Sequence, residues 1–225
     1  DMAPAPDGEM RLFERGRLRL VGAATAAAHF PHLVHRRSGL VVPEVAFAGR
    51  SNVGKSSLVN ACVRGGTKAA VSRRPGQTRA LQWYALQPGP ALALVDLPGY
   101  GFAFAGERER ERWHDATVAY LRERAALRRV MLLVDARVGL KRSDLQLAAL
   151  LHAAQRPYQL LFTKCDQVEP RDLARRVTLS LADLRPFGAR LCAQPLLTSA
   201  RHRRGIVDLL RELAPLALAP PAPPA

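Results

Sequence analysis

Residues 44–63 leave this chain few folds to choose from. Glu44-Val45-Ala46-Phe47-Ala48 is short and largely apolar, as a buried strand is, and Ser57-Leu58-Val59-Asn60-Ala61-Cys62-Val63 carries its apolar residues where a helix would bury them. The link between them, Gly49-Arg50-Ser51-Asn52-Val53-Gly54-Lys55-Ser56-Ser57, has the form G-x-x-x-x-G-K-S. Successive backbone N–H groups can curl around a phosphate where glycine removes the Cβ, and a helix start adds partial positive charge. Lys55 supplies a compact ammonium for the terminal phosphates, and the Ser56 hydroxyl is placed to ligate Mg²⁺. With this chain's own content of Gly, Lys, Ser and Thr, chance would produce the match about once in a thousand sequences. A glycine turn that merely opens a helix is the weaker explanation.

The chain has 225 residues, enough for one α/β domain with short extensions and too few for two large domains, and its 48% hydrophobic content suits a folded core. No apolar run approaches the roughly 18 residues of a membrane-spanning helix, so a soluble protein without a membrane partner is expected. Cys62, Cys165 and Cys192 are isolated and without zinc spacing, which points to a reducing compartment. A formal net charge of +15, from 34 Lys+Arg against 19 Asp+Glu, would attract a polyanion, and RNA or DNA is the partner class it suggests. The competing explanation is an arginine bias of composition, since alanine is abundant too. Lysine occurs only at Lys55, Lys68, Lys141 and Lys164. Two of these fall in nucleotide motifs, where the planar fork of arginine cannot replace a point ammonium.

From Pro43 onward strand-like and helix-like runs alternate, the pattern of a three-layer, doubly wound, mostly parallel sheet wrapped by helices. Six strands are expected, at 44–48, 80–86, 91–95, 130–134, 158–162 and 191–197. Helices are expected at 57–63, 107–124, 143–155, 171–184 and 205–213. The division is a short N-terminal extension outside the sheet (1–40), a nucleotide-binding domain (41–213) and a Pro/Ala-rich tail (214–225). Within the extension, 25–30 reads as a short helix with Thr25 as its cap and Pro31 as its stop.

Three further elements follow the loop in order. Asp96-Leu97-Pro98-Gly99 ends a strand as D-x-x-G, in which the carboxylate holds Mg²⁺ and the Gly99 N–H meets the γ-phosphate; alone it would read as a Pro-Gly turn. Thr163-Lys164-Cys165-Asp166 follows an apolar strand. The Asp166 carboxylate can accept from both N1–H and the N2 amino group of guanine, donors that adenine lacks there, while Lys164 braces the loop. Thr198-Ser199-Ala200 can offer a backbone N–H to guanine O6. In Pro75-Gly76-Gln77-Thr78, Thr78 is the candidate hydroxyl that closes over Mg²⁺, with Thr67 competing. Ser56, Thr78 and Asp96 are thus the candidate metal ligands.

Together these elements resemble a translation-factor-class GTPase domain. Gly49-Arg50-Ser51-Asn52-Val53-Gly54-Lys55-Ser56-Ser57 with Asp96-Leu97-Pro98-Gly99-Tyr100-Gly101-Phe102-Ala103, supported by Val134-Asp135-Ala136-Arg137 and Leu140, is similar to the EngB (YihA/YsxC) family of ribosome-biogenesis GTPases over about residues 25–213. The resemblance implies a guanine-nucleotide switch that binds GTP and GDP and acts late in assembly of the large ribosomal subunit. Ribosomal RNA and the subunit precursor would be its partners, and it would be a monomer off the ribosome. The family usually has a basic residue where this chain has Gln77. The Pro/Ala tail, the arginine bias and a first residue other than Met point to an organellar member in the mitochondrial matrix, with bacterial cytoplasm or plastid as alternatives.

Many GTPases place a water-orienting glutamine where this chain has Tyr100, so slow intrinsic hydrolysis that depends on a partner surface is expected. Lys55, Asn52, Thr78 and Gly99 are the candidate catalytic residues. Asn52 stands where similar cation-activated GTPases hold K⁺ beside the phosphates, a charge that would act as an arginine finger does. Arg50, Arg73, Arg74 and Arg79 could serve instead, although solvated loop charges or RNA contacts explain each of them as well. Two other functions compete: an RNA-binding module with structural nucleotide and vestigial hydrolysis, and a GTPase with protein partners only.

Overall fold

The computed structural model describes residues 7–63, 65–66, 69, 80–87, 89, 91–100, 107–192 and 194–217. Its strands are β1 (Arg17–Ala24), β2 (Glu44–Gly49), β3 (Gly65–Gly66), β4 (Leu81–Gln87), β5 (Ala93–Asp96), β6 (Leu127–Asp135), β7 (Tyr158–Thr163) and β8 (Leu196–Leu197). Among the described residues they form one eight-stranded sheet in the order β3-β1-β4-β5-β2-β6-β7-β8. β2 runs parallel to β5 and β6, and β6, β7 and β8 continue the parallel set. β4 is antiparallel to both β5 and β1.

All six residues of β2 are buried, because helices cover both faces of the sheet there. Alternate side chains go to opposite faces. Val45 and Phe47 join Leu94, Met131 and Leu161 on one face, where α2 (Lys55–Ala61) brings Leu58 and Val59, and α6 (Ile206–Leu213) brings Ile206, Leu209 and Leu213. Ala46 and Ala48 join Val95, Leu132 and Phe162 on the other. There α3 (Glu107–Glu123), α4 (Arg142–Ala153) and α5 (Pro170–Leu184) contribute Tyr120, Ala148, Leu151 and Leu184. Each fully buried large apolar side chain contributes on the order of 1.5–3 kcal/mol, so both faces anchor the sheet. The parallel strands end together at one rim, and the loops leaving that rim carry the candidate site. No described helix is long and apolar enough to cross a membrane.

The division of the chain needs correcting at both ends. The segment assigned to an extension contributes a strand to the sheet, since β1 pairs along β4 from Arg17↔Gln87 to Ala24↔Leu81. It is preceded by α1 (Asp7–Arg15), whose Phe13 is 2% exposed in the first core. The expected helix at 25–30 shrinks to a 3₁₀ turn, Ala27–His29, with no side-chain cap. Phe30 closes that turn, 5.4 Å from the Trp83 ring and 5.7 Å from Tyr120. At the other end Ala214–Leu216 forms a 3₁₀ turn, with Ala214 buried and Leu216 and Ala217 against the first core. The tail therefore begins no earlier than residue 218. Among the described residues, the strand expected at 191–197 is limited to Leu196–Leu197, with an isolated bridge from Leu191 to Tyr158.

One ionic contact joins the connection between β1 and β2 to the centre of the sheet. The Glu44 side chain is fully buried; Arg124 Nε donates to both its oxygens at 3.1 Å, and the Tyr120 hydroxyl donates to Oε2 at 2.9 Å. The same guanidinium donates to the Pro31 carbonyl, which ties residues 31, 44 and 124 together. Removing one partner of a buried pair strands the other charge, so Arg124→Met should cost on the order of 3–5 kcal/mol in urea unfolding. Glu44→Gln combined with Arg124→Met keeps an acceptor for Tyr120 and should recover most of that loss.

Candidate nucleotide-binding site

The phosphate loop starts on a glycine because β6 leaves no room. A Cβ at Gly49 would lie 2.8 Å from the Leu133 carbonyl oxygen. Asn52 (φ 59°) and Gly54 (φ 110°) are both left-handed, the kind of backbone conformation from which a phosphate nest is built. Arg50 and Ser51 lie on the outer limb, the Val53 N–H bonds the Arg50 carbonyl, and Ser56 and Ser57 fall in the first turn of α2. The Lys55 side chain folds back, with Nζ donating to the carbonyls of Gly49 (3.1 Å) and Arg50 (3.3 Å). Burial lowers the pKa of this ammonium, and the nearby Asp96 carboxylate opposes that shift in part.

Asp96, at the end of β5, is fully buried and accepts the Ser56 hydroxyl on Oδ2 at 2.6 Å. Its other oxygen, Oδ1, is buried with no hydrogen-bond partner among the described residues. Burial raises the pKa of this carboxyl, with Lys55 and Ser56 opposing. A buried carboxylate oxygen left over beside a serine hydroxyl fits a hard cation such as Mg²⁺, which would neutralise charge on the phosphates. The third expected ligand, Thr78, lies outside the described residues, as do Thr67, Gln77, Arg73, Arg74 and Arg79.

Gly99 presses on the phosphate loop. A Cβ there would sit 2.3 Å from Ser51 Oγ and 2.7 Å from Ser51 Cα, so no side chain fits this approach. The Ser51 N–H donates to the Tyr100 carbonyl at 3.2 Å. The Tyr100 side chain, at the position where many GTPases orient water, instead donates its hydroxyl to Asp144 Oδ1 at 2.8 Å.

The base-reading loop is tied to the phosphate loop at two points. Thr163 Oγ1 donates to the Val53 carbonyl at 2.7 Å, and Lys164 Nζ donates to the Asn52 carbonyl at 2.6 Å. Lys164 is itself left-handed (φ 57°) and also donates to Asp135 Oδ2 at 2.8 Å. Burial alone would raise the Asp135 carboxyl, but hydrogen bonds from Arg137 and Lys164 outweigh it and bring the pKa down to about 2. The Cys165 N–H donates to the Thr198 carbonyl at 3.1 Å, which fixes Thr198-Ser199-Ala200 beside Asp166. The Ser199 hydroxyl holds the Asp166 carboxyl below the usual carboxylate value, and His202 Nε2 stands 3.7 Å from its Oδ2.

Every described residue of the expected site is thus on one rim, linked by hydrogen bonds that cross from loop to loop. Asp135 and Asp144 were given no role from the sequence. Their signal was present in the D-x-R that ends β6 and in an acidic residue in the first turn of α4, but nothing local says which partner either carboxylate serves.

A family model described as "50S ribosome-binding GTPase" matches residues 44–164. The "Probable GTP-binding protein EngB" of Gluconobacter oxydans is 45% identical over 176 residues, covering 78% of this chain and 76% of that protein. The chain belongs to the EngB family of GTP-binding proteins. It is a GTPase. The EngB of Hyphomonas neptunium is 40% identical over 97% of this chain and 99% of its own, so the likeness includes α1 and β1. The crystal structure of a probable EngB superposes with a TM-score of 0.60 at 22% identity, covering 77% of this chain and 97% of that one. Era bound to MgGDPNP and a 16S ribosomal RNA segment superposes at 0.61 with 18% identity, covering 82% of this chain and 59% of Era. At these identities both speak for the fold alone.

Asp166→Asn replaces an acceptor by an amide that can donate to the 2-oxygen of xanthine. Competition titrations should show GTP affinity falling at least about a hundredfold while xanthosine triphosphate binding rises. Unchanged GTP affinity would place guanine recognition elsewhere.

Proposed function

We propose that this EngB protein is a GTP-driven switch in assembly of the large ribosomal subunit, docking on pre-ribosomal RNA with GTP bound and leaving after hydrolysis. The match of residues 44–164 to a family described as 50S ribosome-binding carries this reading. The net charge of +15 supports an RNA surface as the landing site. Off the ribosome the protein acts as a monomer. Ser56 and Asp96, with Thr78, would hold Mg²⁺, which would neutralise charge on the phosphates.

Hydrolysis is slow without a partner, because the phenol at Tyr100 is bound to Asp144 rather than directed at a water. That same contact is what favours the second reading, a nucleotide-stabilised RNA-binding module with vestigial turnover. The two separate in pull-downs of large-subunit precursors by protein loaded with GDP or a non-hydrolysable GTP analogue, across a salt series. Capture with the analogue only, weakening steeply as salt rises, is expected of the switch. Capture indifferent to nucleotide would leave the RNA-binding module, and no capture would favour a GTPase with protein partners.

Asn52 would hold a K⁺ ion, which would supply charge of the kind that an arginine finger brings. GTP turnover should therefore be clearly faster in KCl than in NaCl at equal ionic strength. Equal rates would remove K⁺ from the mechanism.

A further inference from the structure

Hydrogen bonds close a circuit that leaves the phosphate loop at Asn52 and returns to it at Ser51. Lys164 Nζ bonds the Asn52 carbonyl and Asp135 Oδ2. The Asp135 carbonyl accepts the N–H groups of Val138 and Gly139, both at 2.9 Å, which folds the turn leading into α4. The Lys141 N–H donates to Asp144 Oδ2 at 2.8 Å, the Tyr100 hydroxyl donates to Asp144 Oδ1 at 2.8 Å, and the Tyr100 carbonyl accepts the Ser51 N–H.

Asp144 is 1% exposed, and capping α4 uses only one of its oxygens. Burying a carboxylate is costly unless its remaining acceptor capacity is met, and here the phenol of the D-x-x-G loop meets it. Arg50 of the phosphate loop lies close enough for its charge to act on the same carboxylate. The phosphate loop, the D-x-x-G loop and α4 therefore converge on Asp144, an arrangement that helix capping alone does not require.

We infer that Tyr100 and Asp144 are positioning residues that hold the D-x-x-G loop against the phosphate loop and thereby set the preference for GTP over GDP. The two nucleotides differ only in the γ-phosphate, and Gly99 is the residue of this loop that meets it. With the phenol anchored, the loop is ordered before GTP arrives and binding spends little entropy on it. Without the anchor, GTP must order the loop itself, while GDP, which makes no such contact, is indifferent. The circuit also joins this loop to Lys164, so closure of the base-reading loop and γ-phosphate sensing share one set of contacts and are coupled reciprocally. The inference rests on the GTPase activity of the chain and not on its ribosomal role.

The test is equilibrium titration with fluorescent GDP and a fluorescent non-hydrolysable GTP analogue on the full chain, in wild type, Tyr100→Phe, Asp144→Ala and the double variant, each with a melting curve. Tyr100→Phe should weaken the GTP analogue about tenfold, the size expected for loss of one hydrogen bond to a charged group, and leave GDP within about twofold. The double variant should be no worse than the more affected single one, because both break the same link. An unchanged ratio of the two affinities, or equal loss of both nucleotides, would overturn the inference and leave Tyr100 a packing residue. Should Tyr100→Phe not fold, Asp144→Ala carries the same test, since it leaves the phenol without a partner, whereas the amide of Asp144→Asn could still donate to the phenol oxygen. Wild-type protein that bound neither nucleotide would count against the GTPase reading instead.

Discussion

An ammonium drawn partly out of water needs oxygen atoms to replace the hydration it loses, and Lys164 finds them on two different elements, the Asn52 carbonyl and the Asp135 carboxylate. Neither element touches the other in sequence. By satisfying itself, Lys164 fixes the distance between the phosphate loop and the end of β6, and with it the spacing between where phosphates sit and where a base is read. The Thr163 hydroxyl on the Val53 carbonyl repeats the constraint one residue earlier. A nucleotide is a rigid enough ruler that its two ends can be recognised together only if the protein holds that spacing in advance. This is why the lysine at position 164 stays lysine in a chain otherwise dominated by arginine: a planar guanidinium would need its partners in one plane.

The chemistry at the phosphate end follows from burial. Lys55 and Asp96 are both almost inaccessible, and in both the shift runs toward the neutral form because water is excluded before the opposite charge can compensate. Such a pair is poised for further charge: phosphate oxygens for the lysine, a cation for the carboxylate. Oδ1 of Asp96 has no other use among the described residues.

Much of this was readable from the sequence because it is encoded in short stretches whose local conformation and function coincide. Gly49 through Ser57 needs its glycines for the turn and its lysine for the charge, and both requirements fall within one loop. The central strands are legible as continuous apolar runs because both faces are covered. β1 was missed for the opposite reason. Its sequence mixes Arg17 and Arg19 with Leu18 and Leu20, only some of its residues are buried, and its partner β4 lies far along the chain. An extension outside the sheet gave no reason to expect the helix Asp7–Arg15, whose Phe13 is buried in a core that only the folded domain supplies. Asp144 was invisible as a site residue because an acidic residue in a helix's first turn is adequately explained by capping, and the second hydrogen bond comes from a tyrosine on another loop.

The pairing of β1 with β4 also has a consequence for how the chain is made. Leu18 pairs with Leu86, so the strand leaves the ribosome long before its partner has been synthesised. Until then its ladder groups are unmatched, and Leu18, buried in the finished protein, is open to water. The arginines that obscured this strand in the sequence are the residues that would keep a waiting, unpaired edge from joining another chain. Closure of the sheet on its N-terminal side is then a late event in the life of the nascent protein, timed by the arrival of a strand from beyond the phosphate loop.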